Sequence, residues 1–295
     1  MGDAALQVPA GEGPLAIICG GGSLPFAVAD AVLQRGRGLV LFAIRGFADP
    51  AAVARYPHHW FALGQAGRFR RLARAAGCRD VVFIGTLVRP PISKLRLDWL
   101  TLRILPQIVR CYRGGDDHLL SGLAQLFEQL GFRLVGPHEL APEILAREGP
   151  LGRHQPTERD RADIARGLEL IGAIGAFDIG QAVVVADQRV LAVEAAEGTD
   201  GMLDRIAELR RAGHIGIPNN VGVLVKAPKP NQDRRFALPT IGPQTVAGAE
   251  RAGLAGLAVV AEATIIAEPA RVVEAADRAN LFVVGVPAAK AGVRV

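Results

Sequence analysis

The sequence predicts an α/β protein of two domains, an N-terminal Rossmann-like parallel sheet and a C-terminal mixed α/β domain. At 295 residues the chain exceeds the roughly 100 to 150 residues usual for one domain. Its first half alternates short apolar runs with longer amphipathic ones, as a parallel sheet covered by helices requires. Residues 149–158 break this pattern with glycine, proline and charge. We therefore expect a linker there, between domains at residues 14–148 and 159–295.

Strands and helices alternate along the first half. Short apolar runs indicate strands, and apolar residues three and four apart indicate helices. In order, the sequence predicts a strand at 15–19, a helix at 25–35, a strand at 38–43, a helix at 68–76, a strand at 81–84, a helix at 116–130 and a strand at 132–135.

A glycine run follows the first strand. In GGGSLP, residues 20–25, a phosphate or nucleotide can approach bare backbone at Gly21, Gly22, Ser23 and Leu24. The alternative is a tight turn with a structural role only. Because the spacing differs from GxGxxG and no acid ends the second strand, we expect no nicotinamide cofactor.

The second half is predicted to be a mixed α/β arrangement. Thr157 and Asp160 resemble a capping box that starts a helix running toward Ala173. There follow a hairpin with strands at 182–186 and 190–194, a helix from 202, a strand at 221–226, a long loop, a helix at 244–252, a strand at 257–260, a helix at 269–278 and a strand at 281–286.

Residues 189–205 form the first of two segments with candidate chemistry. A strand ends in Glu194, and the turn Gly198-Thr199-Asp200 precedes a helix. Free N–H groups at the positive end of that helix suit an anion. Glu194, Glu197 and Asp200 are placed to recruit a hard cation to the same anion. The alternative is a connection whose acids only cap and solvate.

Residues 222–245 form the second segment. A strand ends in Lys226, and three prolines stiffen the loop behind it, so that its polar groups are presented outward. This loop of about a dozen residues has no strand or helix period, which is uncommon unless a loop is functional or disordered. A solvated basic surface is the alternative. The charged residues of the loop are Lys229, Asp233, Arg234 and Arg235.

Several blocks of sequence together resemble one family. They are GGGSLP (20–25), GTLVRP (85–90), GDDHLL (115–120), EGTD (197–200), VLVK (223–226), KPxQDxR (229–235) and LPxIGxxT (238–245). Each block is short, but their number and order make the chain similar to the UDP-2,3-diacylglucosamine pyrophosphatases of the LpxI type. The resemblance extends over nearly the whole chain from about residue 14.

The resemblance implies a reaction and a set of site residues. The reaction is Mg²⁺-dependent hydrolysis of an acylated UDP-sugar, UDP-2,3-diacylglucosamine, to UMP and 2,3-diacylglucosamine 1-phosphate (lipid X) in lipid A biosynthesis. Water would attack the phosphorus on the sugar side, with the substrate between the two domains. The expected substrate-binding residues are Gly21, Gly22, Ser23, Leu24, Thr86, Arg89, Asp116, Thr199, Asp200, Lys226, Lys229, Gln232, Arg234 and Thr240. The metal candidates are Asp233, Glu194 and Glu197, and Asp233 is also a catalytic candidate.

Two of these candidates have simpler explanations. Asp116 lies in the first turn of a predicted helix, where an acid commonly complements the helix dipole. Arg89 lies in a proline-rich turn, where an arginine is often only a solvent-exposed side chain without a binding role.

One position departs from the family pattern. The family motif D-L-P-x-I-G places an acid before Leu-Pro, whereas this chain has Ala237 there. An engineered substrate-trapping substitution and natural drift both account for the alanine. Loss of a general base lowers a rate roughly 100- to 10,000-fold, so we expect this copy to bind substrate and turn over little of it. The alternative function is a non-catalytic nucleotide-sugar or phospholipid binding protein.

Residues 92–113 combine large apolar side chains with basic ones. Such a segment suits an anionic membrane surface or the floor of an acyl-chain groove. An ordinary core helix with a basic outer face and a bend at Pro106 is the alternative. The basic residues are Lys94, Arg96, Arg103, Arg110 and Arg113.

Composition restricts the partners. A net charge of +5 and a pI near 9.5 favour anionic ligands, but aromatic residues are only 5% and are not interleaved with basic clusters, which argues against nucleic acid. Cys19, Cys78 and Cys111 lack metal or redox spacing. No apolar run reaches the roughly 20 residues of a membrane span, and residues 1–13 do not resemble a secretion signal. We expect a cytoplasmic protein; a peripheral site on the inner membrane and a homo-oligomer stay open.

Overall fold

The computed structural model describes residues 13–87, 95–112, 116–177, 179–229, 233–235 and 238–287. The chain divides into two compact units, Met1–Pro142 with Asp233–Phe236, and Glu143–Gln232 with Ala237–Val295. The described residues include no helix with the length and hydropathy needed to cross a membrane.

The first unit contains the predicted parallel sheet. Its strands lie in the order β3-β2-β1-β4-β5, and every neighbouring pair is parallel. The strands are β1 (Leu15–Cys19), β2 (Leu39–Ile44), β3 (His58–Phe61), β4 (Asp80–Ile84) and β5 (Arg133–Leu134). The helices are α1 (Leu24–Gln34), α2 (Pro50–Val53), α3 (Ala66–Ala75), α4 (Trp99–Tyr112), α5 (Asp116–Gln129) and α6 (Pro137–Leu140).

Aromatic side chains fill the core of this unit. Phe69 of α3 meets Phe42 of β2 edge to face, with ring centroids 4.7 Å apart, and lies 5.3 Å from Phe127 of α5. Large rings supply much buried apolar area per residue, and offset or edge contacts suit their quadrupoles. Helices α3 and α5 are thereby fixed on one face of the sheet.

A buried ion pair closes the amino end of the same sheet. Asp80, 1% exposed, accepts hydrogen bonds from Arg37 at 2.6 Å and from Arg133 at 2.8 and 2.9 Å. Burial favours the neutral acid, but the hydrogen bonds and charges of the two arginines outweigh it and hold the pKa of Asp80 below its ordinary value. The carboxylate joins β4, β5 and the connection between α1 and β2.

The second unit contains the predicted mixed sheet. Among the described residues its order is β6-β13-β11-β9-β7-β8, with β9, β11 and β13 parallel and the others antiparallel to their neighbours. The strands of this sheet are β6 (Gly149–Pro150), β7 (Ala182–Ala186), β8 (Arg189–Val193), β9 (Val223–Lys226), β11 (Gly256–Val260) and β13 (Phe282–Val286). Two further strands of the unit, β10 (Thr240–Ile241) and β12 (Ile265–Ile266), pair parallel with each other in a separate two-stranded sheet. Its helices are α7 (Glu158–Ile174), α8 (Gly198–Arg211), α9 (Pro243–Arg251) and α10 (Pro269–Arg278).

Helices cover both faces of this sheet. The cluster on one face includes Met202, Leu203 and Ile206 of α8, and the cluster on the other includes Ile164 and Leu168 of α7. The predicted capping box is confirmed, because the Thr157 amide and hydroxyl both donate to Asp160 and the Asp160 amide donates to Thr157 Oγ1. Gly149–Pro150, within the segment predicted as a linker, pairs antiparallel with Val284 and Gly285.

The β7–β8 hairpin turn has an unusual sequence. Asp187 and Gln188 have φ values of 52° and 61°, a left-handed pair that asparagine and glycine usually supply. Asp163 of α7, 1% exposed, accepts hydrogen bonds from the amides of both turn residues, at 3.0 and 2.6 Å. This buried carboxylate stabilises the turn and ties α7 to the hairpin.

Candidate functional site

The glycine turn of the first unit lies where the sheet changes direction. Successive strands proceed from β1 to one side and from β4 to the other, and in open parallel sheets ligands bind beyond the carboxyl ends of the strands at that point. Gly21 and Thr86 exchange backbone hydrogen bonds of 2.9 Å there. A Cβ on Gly21 would lie 2.8 Å from Thr86 Oγ1. The predicted residues Gly21 and Thr86 are therefore brought together.

Gly22, Ser23 and Thr86 are exposed at this edge, and Leu24 is half-buried. Gly22 has a φ of +88°, which favours glycine. The turn thus presents main chain rather than large side chains. Its neighbour in the predicted site, Arg89, lies outside the described residues, as do Gln232 and Ala237. Asp116 begins α5, and its side chain is likewise not described.

Residues Asp233–Arg235 of the long loop belong to the first unit. The Asp233 carboxylate accepts hydrogen bonds from the amide, Nε and Nη2 of Arg235, the shortest at 2.7 Å. Hydrogen bonds from Arg235 hold the pKa of Asp233 below its ordinary value. Arg235 also donates through Nη1 to Glu128 of α5 at 2.9 Å. A single guanidinium therefore joins the loop acid to a helix of this unit.

His138 of α6 faces the same loop residues. Burial, and then the charge of Arg234, lower the pKa of the His138 imidazole, although Glu139 and Asp233 oppose the shift. The ring lies so close to Gly136 that a Cβ there would be 2.5 Å from His138 Nδ1. In the described part of the chain, this buried Nδ1 has no hydrogen-bond partner. Burial and the nearby charge of Arg234 thus favour the neutral form of the His138 ring.

A buried lysine is the centre of the second unit's candidate site. Lys226 ends β9 and is 7% exposed. Its Nζ donates to Thr199 Oγ1 at 2.8 Å and to the Thr240 carbonyl at 3.1 Å. Thr199 Oγ1 in turn donates to Glu194 Oε1 at 2.7 Å. Strand and helix ends thus place a cation, a hydroxyl and a carboxylate in one chain of hydrogen bonds.

The charge of Lys226 is balanced locally. Burial lowers the pKa of its ammonium group, and the negative charges of Glu194 and Asp200 oppose that shift. The other Glu194 oxygen, Oε2, accepts the Gln181 amide at 2.7 Å. Glu194 is therefore held at both oxygens, and the Lys226 side chain is held by hydrogen bonds at the carboxyl end of a parallel strand.

Helix α8 begins earlier than the sequence predicted. It starts at Gly198, whose φ is +72°, so Thr199 and Asp200 lie inside the first turn rather than before the helix. Glu197 is the N-cap residue, and its side chain makes no cap hydrogen bond. Gly198, which follows it, adopts a positive φ at little cost and so lets the helix begin there. Thr199 can therefore point back to the strand ends.

Lys229 is as buried as Lys226, at 7% exposure. The two lysines of the loop segment are thus inside the protein rather than on the solvated surface considered as an alternative. Thr240 contributes its carbonyl to Lys226, while its hydroxyl donates to the Leu238 carbonyl at 3.3 Å.

The three metal candidates have protein partners. Glu194 is held as described, Asp233 is held by Arg235, and Glu197 forms a 2.6 Å ion pair with Arg205. No group of three histidine, cysteine or acidic side chains suited to a metal occurs among the residues that the structure describes. Mg²⁺, however, usually binds through one or two carboxylates plus substrate phosphates and water. A bound diphosphate would therefore have to complete any magnesium site here.

Two residues near the loop were missed by sequence reasoning. Glu128 and His138 precede Asp233–Arg235 by about a hundred positions, and neither belongs to a recognisable motif. No spacing rule brings them to the loop, because their proximity arises from the return of residues 233–235 to the first unit.

Comparison with known proteins identifies two matching domain families. Residues 14–144 match the LpxI N-terminal domain, and residues 147–284 match the LpxI C-terminal domain. The chain is also similar to the UDP-2,3-diacylglucosamine pyrophosphatase LpxI of Caulobacter vibrioides. The two are 42% identical over 272 residues, which cover 92% of this chain and 97% of the relative.

Proposed function

The chain belongs to the LpxI family, and on that premise we propose that it acts on UDP-2,3-diacylglucosamine. The reaction is hydrolysis of the pyrophosphate bond to UMP and 2,3-diacylglucosamine 1-phosphate, in lipid A biosynthesis. Because this substrate carries two acyl chains, the protein is expected to work in the cytoplasm next to the inner membrane.

The buried Lys226 is the observation that best supports the proposal. Phosphoryl chemistry depends mostly on positioning and on neutralising the oxygens around phosphorus. Thr199 and Thr240 hold the Lys226 side chain in one orientation, and burial strengthens the field of a positive charge. We assign Lys226 to phosphate binding, with Lys229 and Arg234 as further cations.

The glycine turn is assigned to the nucleotide or pyrophosphate side of the substrate. Gly21, Gly22, Ser23 and Leu24 present backbone at the carboxyl edge, beside Thr86. Arg89, Asp116 and Gln232 remain binding candidates on the resemblance alone.

Water is proposed to attack the sugar-side phosphorus. Hydrolysis in ¹⁸O-water tests this, because attack at that phosphorus places the label in the sugar phosphate. Label in UMP would move the attack to the other phosphorus.

Ala237 leads us to propose that this copy binds substrate and turns over little of it. An acid at this position would orient water or hold a cation, and loss of a general base lowers a rate roughly 100- to 10,000-fold. The test compares the chain with Ala237→Asp, and uses Ala51→Asp as a control that adds an exposed carboxylate on α2. Hydrolysis restored by Ala237→Asp alone supports the proposal.

Two other outcomes are informative. Equal hydrolysis by the chain and by Ala237→Asp shows that position 237 has no chemical role. A bound substrate that stays intact in both proteins favours a non-catalytic nucleotide-sugar or phospholipid binding protein, the second candidate, which the missing acid itself supports.

Magnesium dependence is part of the proposal and has its own test. When bound, Mg²⁺ would neutralise diphosphate oxygens, and Asp233, Glu194 and Glu197 are the acids proposed to hold it. We expect EDTA to abolish hydrolysis by Ala237→Asp and excess Mg²⁺ to restore it. Unchanged hydrolysis after chelation removes the metal from the proposal.

A further inference from the structure

Helix α4 has an outward face with a distinctive composition. Trp99 is 84% exposed and Leu102 is 46% exposed. Arg103, Pro106, Gln107 and Arg110 are also exposed. At about 100° per residue these six positions span an arc of roughly 140° on one side of the helix. Helix α4 contains no acidic residue, and Arg96, just before it, is exposed as well.

The opposite face anchors α4 in the first unit. Thr101 is 1% exposed and donates its hydroxyl to Asp98 at 2.8 Å, while it accepts the Ala66 amide at 3.0 Å. Leu100 and Ile104 pack against the aromatic core. The buried side of the helix is therefore already satisfied.

Asp98 fixes the orientation of the helix. Its carboxylate accepts the amide of Thr101 in α4 and the amide of Arg68 in α3, both at 2.9 Å. Burial opposes ionisation, but these hydrogen bonds hold the pKa of Asp98 below its ordinary value. One charged cap thus joins two helix starts, and Trp99 is fixed on the outside.

We infer that the outward face of α4 binds an anionic lipid surface. Tryptophan prefers the interface between headgroups and acyl chains, since its ring is apolar and its N–H is polar. Arginines flanking such a ring attract anionic headgroups and keep their charge at the water boundary. The biological purpose rests on the proposed function, but lipid binding and hydrolysis are measured separately.

The charge of this face argues for lipid rather than for a second copy. In a two-fold symmetric contact, each patch meets its own counterpart. Arg96, Arg103 and Arg110 would then face the same three arginines, with no acid of α4 to compensate. A surface of anionic headgroups complements all three.

Vesicle binding tests the inference without any substrate. In a Trp60→Phe background Trp99 is the one remaining tryptophan, because the chain has two. Phosphatidylcholine vesicles with and without about one third phosphatidylglycerol are mixed with this protein at low and high salt. We expect binding to the anionic vesicles, a blue shift of Trp99 emission, and quenching by lipids brominated on their acyl chains. Salt should weaken the binding by screening.

Variants locate the binding face. Charge removal by Arg103→Gln or Arg110→Gln is expected to weaken binding roughly fivefold each. The double variant Trp99→Ala, Leu102→Ser should weaken vesicle binding further and remove the binding that persists at high salt. The matched controls are Phe177→Ala, which removes an aromatic ring 75% exposed, and Arg278→Gln, which removes an arginine 71% exposed. Both controls should bind vesicles like the parent.

Several results would overturn the inference. One is vesicle binding that the α4 variants leave unchanged, and another is Trp99 emission unaffected by anionic vesicles. A change in oligomeric state caused by Trp99→Ala would assign the face to a second copy. Impaired hydrolysis of a monomeric short-chain substrate by the Ala237→Asp, Trp99→Ala protein would assign the face to the acyl chains of the substrate. Failure of hydrolysis with vesicle binding intact would count against the proposed function only.

Discussion

Lys226 keeps its ammonium group out of water, with Thr199 and the Thr240 carbonyl as its partners. A buried charge is costly unless it is paired and hydrogen-bonded. The fold meets that requirement with Glu194, which acts through the Thr199 hydroxyl. The Lys226 side chain is thus held in one orientation by protein groups.

Replacement of this lysine should therefore weaken ligand binding strongly. We expect Lys226→Met to raise the Kd for UDP-2,3-diacylglucosamine roughly 10- to 150-fold, the value of a hydrogen bond to a charged group. Calorimetric titration of each protein, with product formation assayed in parallel, measures this affinity. Arg211→Met, at the exposed end of α8, is the control. Equal affinities of the two variants would contradict the assignment of Lys226 to phosphate binding.

Asp80 provides a pH prediction at the same scale. Its folded pKa lies below the reference value of 3.8, so its stabilising contribution is present above 3.8 and is lost as pH falls through the folded pKa. Asp80→Asn leaves the half-buried Arg37 without its carboxylate and should lower the free energy of unfolding by about 3 kcal/mol at pH 7. Below pH 3.8 the difference from the parent should narrow.

Urea unfolding at several pH values measures that difference. The control is Asp204→Asn, which breaks an exposed pair with Arg251 and should change stability by at most about 0.5 kcal/mol. A difference between Asp80→Asn and the parent that is constant from pH 7 to pH 3 would show that ionisation of Asp80 does not stabilise the fold.

At the level of elements, residues 233–235 of the long loop are joined to a helix distant in sequence. Arg235 joins Asp233 to Glu128 of α5, so α5 positions a loop acid that is a catalytic candidate. The Glu128 carboxylate is about half exposed, at 49%. Its contribution to global stability should therefore be small, whereas its influence on the loop is direct.

Glu128→Gln separates these two effects. We expect it to weaken substrate binding by up to about fivefold while the free energy of unfolding stays within 0.5 kcal/mol of the parent. Glu274→Gln, which breaks a 2.7 Å surface pair with Arg278 on α10, is the control and should change neither quantity. If Glu128→Gln also leaves affinity unchanged, the ion pair does not position the loop.

For the whole molecule, each unit has hydrophobic clusters of its own. The aromatic cluster around Phe69 belongs to the first unit, while the clusters around Met202 and Leu168 belong to the second. Domains with separate cores commonly unfold as separate cooperative units.

Calorimetry should therefore resolve two unfolding transitions. Asp80→Asn is expected to lower the Tm of one of them, and Asp163→Ala the Tm of the other, because the second variant leaves two turn amides without their acceptor. Each shift should be several degrees. A single transition that both variants lower equally would mean that the chain unfolds as one unit.

Much of this fold was predictable from local pattern. The buried strand Leu15–Cys19 and the helix Pro269–Arg278 follow directly from apolar periodicity, and the parallel and mixed sheets are confirmed. Strand β3 was missed because His58, His59 and Trp60 do not read as an apolar run. It forms because β2 offers a parallel edge, which is a tertiary effect.

Only part of the candidate site was predictable from the sequence. Lys226, Thr199 and Glu194 each end or begin an element, so sequence could place them near one another at a sheet edge. The bond between Lys226 and Thr199 depends on the early start of α8 at Gly198. The ion pair of Glu128 with Arg235 depends on the path of the loop, which no local sequence rule predicts.

The first unit is discontinuous in sequence, which matters for the design of truncated proteins. A fragment that stops at Pro142 would omit the four-residue segment Asp233–Phe236, which belongs to the same compact unit. In such a fragment the Glu128 carboxylate would lose its partner Arg235, and His138 would lose the neighbouring charges of Asp233 and Arg234. Ligand titrations on such fragments would then not report the affinity of the intact unit. Circular permutation, or grafting of the missing segment, would be the sounder route to an isolated N-terminal module.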